Sequence, residues 1–187
     1  MSQHFVRTAA ALSFLTLAAQ AGLAAESGVI RNGNAPGRPI LSSVEVPASK
    51  NLVFLSGQVP SATNPDAPRE QQTLGDMETQ TMSVLTKIED HLKSIGLSMG
   101  DVVKAQAFLV ADPATGKVDR DGFNKAFAKF FGTDKQPNKP TRSAFVIAGL
   151  GSPTMFVEIE DMAVRPYRGP DGPPGRFAPG GHSSQGF

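Results

Sequence analysis

The chain predicts an α+β fold, a two-layer sandwich of one mixed β-sheet with two helices on one face. Two observations carry that reading. β-rich runs and helical patterns alternate in the order β-β-β-α-β-α-β-β, and both helical stretches put their apolar residues on a single stripe. Helices gathered on one face leave the other face of the sheet without cover, so self-association is its expected cover. With 187 residues, 40% hydrophobic and 19% charged, the chain suits one soluble globular domain with flexible ends.

The elements follow in order. Residues 28 to 57 read as three extended runs, "GVIRNG", "ILSSVEV" and "NLVFLSG", and the break at Pro47 to Lys50 predicts a hairpin between the second and the third. "PSATNPDAPREQQTLG" is a loop on its proline and asparagine content. Asp76 then caps a helix whose Val84, Leu85, Ile88, Leu92 and Ile95 share one face, and Gly96 stops it. A tight turn at Ser98 to Asp101 leads into the strand "DVVKAQAFLV". After the loop "ADPATGKVDRDG" comes a second helix, "FNKAFAKFFG", with Phe123, Phe127, Phe130 and Phe131 on one side, read as core. Strands at Thr141 to Ala148 and Met155 to Val164, the latter alternating as "MFVEIEDMAV", close the domain.

The two ends differ from this middle. Residues 1–25 have a short positive region at Arg7, an Ala/Leu-rich stretch and small residues before Ala24 and Ala25. That is the layout of a signal peptide cleaved after one of those alanines, so a periplasmic or secreted protein without a membrane anchor is expected. The domain then spans 26–165. Residues 166–187 are dominated by glycine and proline, with too few apolar side chains to offset ordering entropy, and read as a disordered tail.

Composition narrows the chemistry. Eighteen Lys and Arg against 17 Asp and Glu leave a formal charge of +1, which offers no basic field for a nucleic acid backbone. Absence of cysteine excludes disulfides, thiolate nucleophiles and thiolate metal sites. Only His91 lies away from the ends, and it reads as a solvated helix residue, so no Ser-His-Asp triad or His-rich metal site can be assembled without help from another chain. Chemistry must run on Arg, Lys, Asp, Glu, hydroxyl, amide and backbone groups. Within "KPTRSAFVIAGL", Arg142 opens a strand-like run; its guanidinium stays charged and is costly to bury alone, so it either points into water or meets an anion.

Taken together, "NLVFLSGQVP", "LKSIGLSMGDVVKAQAFL", "FNKAFAKFF", "KPTRSAFVIAGL" and "VEIEDMAV" resemble, in order and approximate spacing, the RidA (YjgF-type) family of reactive intermediate deaminases. The resemblance covers residues 28–165. It implies a chorismate-mutase-like subunit assembled as a homotrimer with clefts between subunits. It also implies hydrolysis of small 2-imino acids to keto acids and ammonia, as by 2-iminobutanoate/2-iminopropanoate deaminases, without a cofactor or metal. In that pattern Arg142 clamps the substrate carboxylate and Glu158 activates the attacking water. Ser56 and Gly57 line the cleft with a hydroxyl and an amide, Asn124 adds a polar contact, and Ala144 offers its main-chain carbonyl. Ser56 could instead merely end a strand, and Asn124 could cap its helix. Strand alternation puts Glu160 on the face of Glu158 and Asp161 on the other.

The sequence departs from that family in one respect that bears on catalysis. A tyrosine usual in the first segment is replaced by Leu41 or Ser42, and the only tyrosine, Tyr167, lies outside the domain. Two loops, 61–75 and 111–122, are longer than usual. A non-catalytic module binding small carboxylates is therefore the alternative reading, with ribonuclease activity a more distant third.

Overall fold

The computed structural model describes residues 28–166. The expected leader over 1–25, and the expected tail beyond its first residue, lie outside the described residues. Six strands and two helices follow in the expected order: β1 (Ile30–Asn32), β2 (Ser43–Glu45), β3 (Lys50–Gln58), α1 (Met77–Ser94), β4 (Val102–Leu109), α2 (Arg120–Phe127), β5 (Thr141–Val146) and β6 (Val157–Pro166). The main sheet has the order β3-β6-β4-β5, with β4 and β5 parallel and the other neighbours antiparallel. It is the mixed sheet of the α+β sandwich, with both helices packed on one face.

Strand alternation sorts the sheet into two faces. Val53, Leu55, Ala105, Ala107, Leu109, Ile159 and Ala163 meet α1, through Val84, Leu85, Ile88 and Leu92, and α2, through Phe123 and Phe127, in one core. The opposite face carries Leu52, Phe54, Lys104, Gln106, Phe108, Glu158, Glu160 and Met162, in register across β3, β6 and β4. Leu52, Phe54 and Phe145 are the large exposed apolar side chains of this outer face.

Helix α1 begins where its cap residue dictates. The Asp76 carboxylate accepts from the Thr79 amide at 2.8 Å, and Gly96, at φ +75°, ends the helix in a conformation that a side chain disfavours. Helix α2 starts three residues earlier than the phenylalanine stripe suggests, because Asp119 caps it through the Gly122 amide. The expected hairpin between the second and third runs is not formed. β2 pairs antiparallel with β1 in a separate two-stranded ribbon. Pro47 instead accepts a hydrogen bond from the Lys50 amide in a turn that redirects the chain. The ribbon is tied to the main body by Arg31, whose guanidinium donates to the carbonyls of Gly100, Val102 and Lys139, and by the Leu41 amide on Pro140.

One residue breaks the logic of the core. Asp161 sits on the helix-facing side of β6 between Leu55 and Ala105, only 2% exposed, and neither carboxylate oxygen has a hydrogen-bond partner. Burial pushes its pKa up to about 7, far above the unfolded value near 3.9. The folded state therefore holds the proton more tightly than the unfolded state does. Stability is expected to be highest below about pH 4 with respect to this group, and to fall as pH rises toward 7 and beyond, by roughly 4 kcal/mol in total. Urea unfolding of the wild type and of Asp161→Asn across that pH range checks it: the difference between the two should shrink steadily toward low pH, and a pH-independent difference would show that Asp161 is already ionised at low cost.

Candidate functional site

Arg142 stands at the start of edge strand β5, and the parallel ladder places it beside Ala105, on the helix-facing side of the sheet. There it meets α2. Its guanidinium carbon lies 4.4 Å from the centre of the Phe127 ring and 4.8 Å from that of Phe123, while Nη2 donates to Asn124 Oδ1 at 2.8 Å. The phenylalanine stripe thus does double duty: buried Phe123 and Phe127 fill the core and offer ring faces to the cation. Burial lowers the Arg142 pKa, yet a guanidinium remains charged in any ordinary solution. Nη1 is buried without a partner, and among the described residues no carboxylate forms an ion pair with Arg142.

That seat settles what Asn124 does in the folded chain. The cap of α2 is Asp119, and the Asn124 side chain instead holds the guanidinium over the rings. Ala144 lies two residues along β5 on the same face, opposite Ala107 and packed against the core. Arg142, Asn124 and Ala144 therefore form one group.

Glu158 belongs to a second group. It stands opposite Phe108 on the outer face, half-buried, and reaches over Gly57 so closely that any side chain there would collide with its carboxylate. A bulge between Leu55 and Gln58 lets β3 bring Ser56 and Gly57 up to β6 at this point. Ser56 is exposed, and no hydrogen bond or ion pair engages the Glu158 carboxylate among the described residues. An open groove of about 240 Å³ lies one row along, over Phe54, Ser56, Lys104, Gln106, Glu160 and Met162. It includes neither Arg142 nor Asn124.

The six candidate residues thus fall into two groups of three, on opposite faces of the sheet. Arg142 pairs with Ala105, Glu158 with Phe108; residues an odd number apart on a regular strand point to opposite sides. One copy cannot bring the guanidinium and the carboxylate onto a common small molecule through its own sheet. His91 is exposed on α1, and among the described residues no cluster of metal-ligating side chains is present. Leu41 is buried and Ser42 exposed, so neither supplies an aromatic cover. Sequence reasoning missed Arg31, whose three carbonyl acceptors are contributed by residues about 70 and 108 positions away; no local signal marks it.

Comparison with known proteins gives a consistent picture. The model of the endoribonuclease L-PSP family matches residues 33–165. TdcF of Escherichia coli (strain K12), assigned by its name to the reactive intermediate deaminases, is 30% identical over 139 residues, 73% of this chain and 96% of that protein. The 2-iminobutanoate/2-iminopropanoate deaminase of the same organism is 29% identical over 143 residues, 74% of this chain and 98% of that protein. Among solved structures, the Rid-family protein YyfB of Yersinia pestis superposes with a TM-score of 0.53 at 23% identity, covering 71% of this chain and 96% of that one, and so bears on the fold alone.

The geometry of the Arg142 seat leads to a binding prediction. A keto acid such as 2-oxobutanoate should raise the thermal midpoint of the wild type and leave that of Arg142→Ala unmoved. Asn124→Ala, which removes only the bond that steadies the guanidinium, should weaken binding by about 1 kcal/mol, a factor of roughly five. A shift that survives Arg142→Ala in full places the anion elsewhere.

Proposed function

The chain belongs to the endoribonuclease L-PSP family, the RidA group that contains the reactive intermediate deaminases, and from that premise we propose that it hydrolyses 2-imino acids at a site built by two copies. The observation that carries this reading is a half-buried guanidinium with an unpaired Nη1 and no carboxylate of its own. A planar guanidinium binds a carboxylate through two parallel hydrogen bonds. A neighbouring copy that lays its outer face against the α2 side of the first would bring Glu158, Ser56 and Gly57 opposite Arg142, Asn124 and Ala144. Contact between two different surfaces closes into a ring when the rotation allows, and three copies give three such sites. The exposed Leu52 and Phe54 supply apolar area for that contact.

In this site the substrate carboxylate lies on Arg142, which fixes the C=N carbon. Glu158 takes a proton from water as the oxygen bonds to that carbon, and the electron pair of the C=N bond moves to nitrogen, which takes a proton from solvent. The resulting carbinolamine collapses as Glu158 returns its proton to nitrogen, the C–N bond breaks, and the hydroxyl releases its proton to solvent as C=O forms, so imino acid and water give keto acid and ammonia. No redox partner or cofactor is required by this balance. The leader-like residues 1–25 support a periplasmic or secreted location for it, where imines would come from outside the cytoplasm.

Freshly generated 2-iminobutanoate in the presence of semicarbazide, which traps the imine in competition, tests the reading. Purified protein should divert the imine to keto acid in proportion to its concentration. Arg142→Ala and Glu158→Gln should each lower that diversion by about 10²-fold or more, with circular dichroism unchanged. Thermal shifts by keto acids with no turnover at all would favour a binding module instead.

A further inference from the structure

The outer face is arranged in rows that run across the strands. One row holds Glu158 on β6, Phe108 on β4 and Phe145 on β5, all on the same side. The next holds Glu160, Gln106 and Ser143, and the one after it Phe54, Met162, Lys104 and Thr141. The two phenylalanines beside Glu158 stack, with ring centres 6.1 Å apart and planes inclined by 25°, and Phe145 is 49% exposed. The polar row of Glu160, Gln106 and Ser143 separates them from Leu52 and Phe54 on β3.

We propose that the Phe108–Phe145 pair seats the side chain of the imino acid, so that the substrates taken best carry a branched or aromatic apolar group. This rests on the reading of Glu158 as the base that activates water. Three features lead to it. Strand spacing puts the two rings about 5 and 10 Å from Glu158 along the sheet. A methyl group on the imine carbon reaches only the nearer ring, whereas a benzyl or isobutyl group spans the pair. The patch is also small, two rings of roughly 150–250 Å² each, beside the Glu158 that the proposed seam brings opposite a neighbour's guanidinium. It suits one apolar group next to a carboxylate, and the polar row closes it off from the apolar residues of β3. Each methylene buried against the rings is worth roughly fourfold in transition-state binding, so the preference over a methyl substituent should exceed tenfold.

An amino-acid oxidase generates the imines of phenylalanine, leucine and alanine in place, and semicarbazide competition gives kcat/KM for each. The wild type should favour the phenylalanine or leucine imine over 2-iminopropanoate by more than tenfold. In Phe145→Ala that ratio should collapse by at least tenfold, chiefly through KM. Phe145→Leu, which keeps an apolar group, should restore part of it, and Ile30→Ala, an exposed apolar residue of the separate β1–β2 ribbon, should leave the ratio as in wild type. Native mass should be the same in all variants. Equal or better turnover of 2-iminopropanoate by the wild type, or a Phe145→Ala defect equal for all three imines, overturns the side-chain seat while leaving imine hydrolysis intact. A changed mass in Phe145→Ala overturns it too, because the rings would then hold the copies together and not seat the substrate. Failure of the wild type to hydrolyse any of the three removes both this inference and the reading beneath it.

Discussion

Alternation along a strand governs everything here. Neighbouring side chains on a strand point to opposite sides, and the ladders of β4 with β5 and β6 fix which side each candidate takes. Arg142 is committed to the helices and Glu158 to the outer face. No rotamer change reverses this, since a one-residue slip would also turn Ala105, Ala107, Leu109 and Ile159 out of the core. The register that builds the core is thus the same one that sets Arg142 and Glu158 on opposite faces, and the proposed site needs a second copy to bring them together.

Arg142 illustrates how a fold can hold a charge ready. Removing a cation from water is costly, and here the cost is offset by two ring faces and one amide oxygen, none of which neutralises it. An aspartate or glutamate in place of Asn124 would hold the guanidinium more strongly, and would also occupy it. The neutral amide orients the fork and leaves Nη1 without a partner, a donor that the proposed site offers to a substrate carboxylate. On the other side of the sheet, Gly57 serves a related end by leaving the space that the Glu158 carboxylate fills.

Much of this fold could be read from the residues, where the signals are local. Asp76, the stripe from Val84 to Leu92, and Gly96 define α1 within a few positions of one another, so its ends lie where caps and periodicity put them. The partner of β2 was not legible, because pairing of such short runs is decided by contacts distant in sequence. Arg31 reaching Gly100, Val102 and Lys139, and Leu41 meeting Pro140, hold the ribbon. The candidate site divides the same way. Motif spacing singled out Arg142 and Glu158, and alternation separated Asp161 from Glu160. That Arg142 and Glu158 face apart requires the pairing order β6-β4-β5, which motif spacing does not contain. Nor does alternation reveal that Asp161 lacks any partner in the core.

A site divided between copies makes a demand that no single-chain site makes. If Arg142→Ala and Glu158→Gln chains, each inactive alone, are unfolded together and refolded as an equal mixture, some seams will join an intact arginine to an intact glutamate. Random assembly makes that roughly a quarter of all seams, so imine hydrolysis should return to about a quarter of the wild-type rate. Mixed assemblies of native mass that stay as inactive as their parents would contradict the account, because both residues would then have to serve the same substrate from one chain.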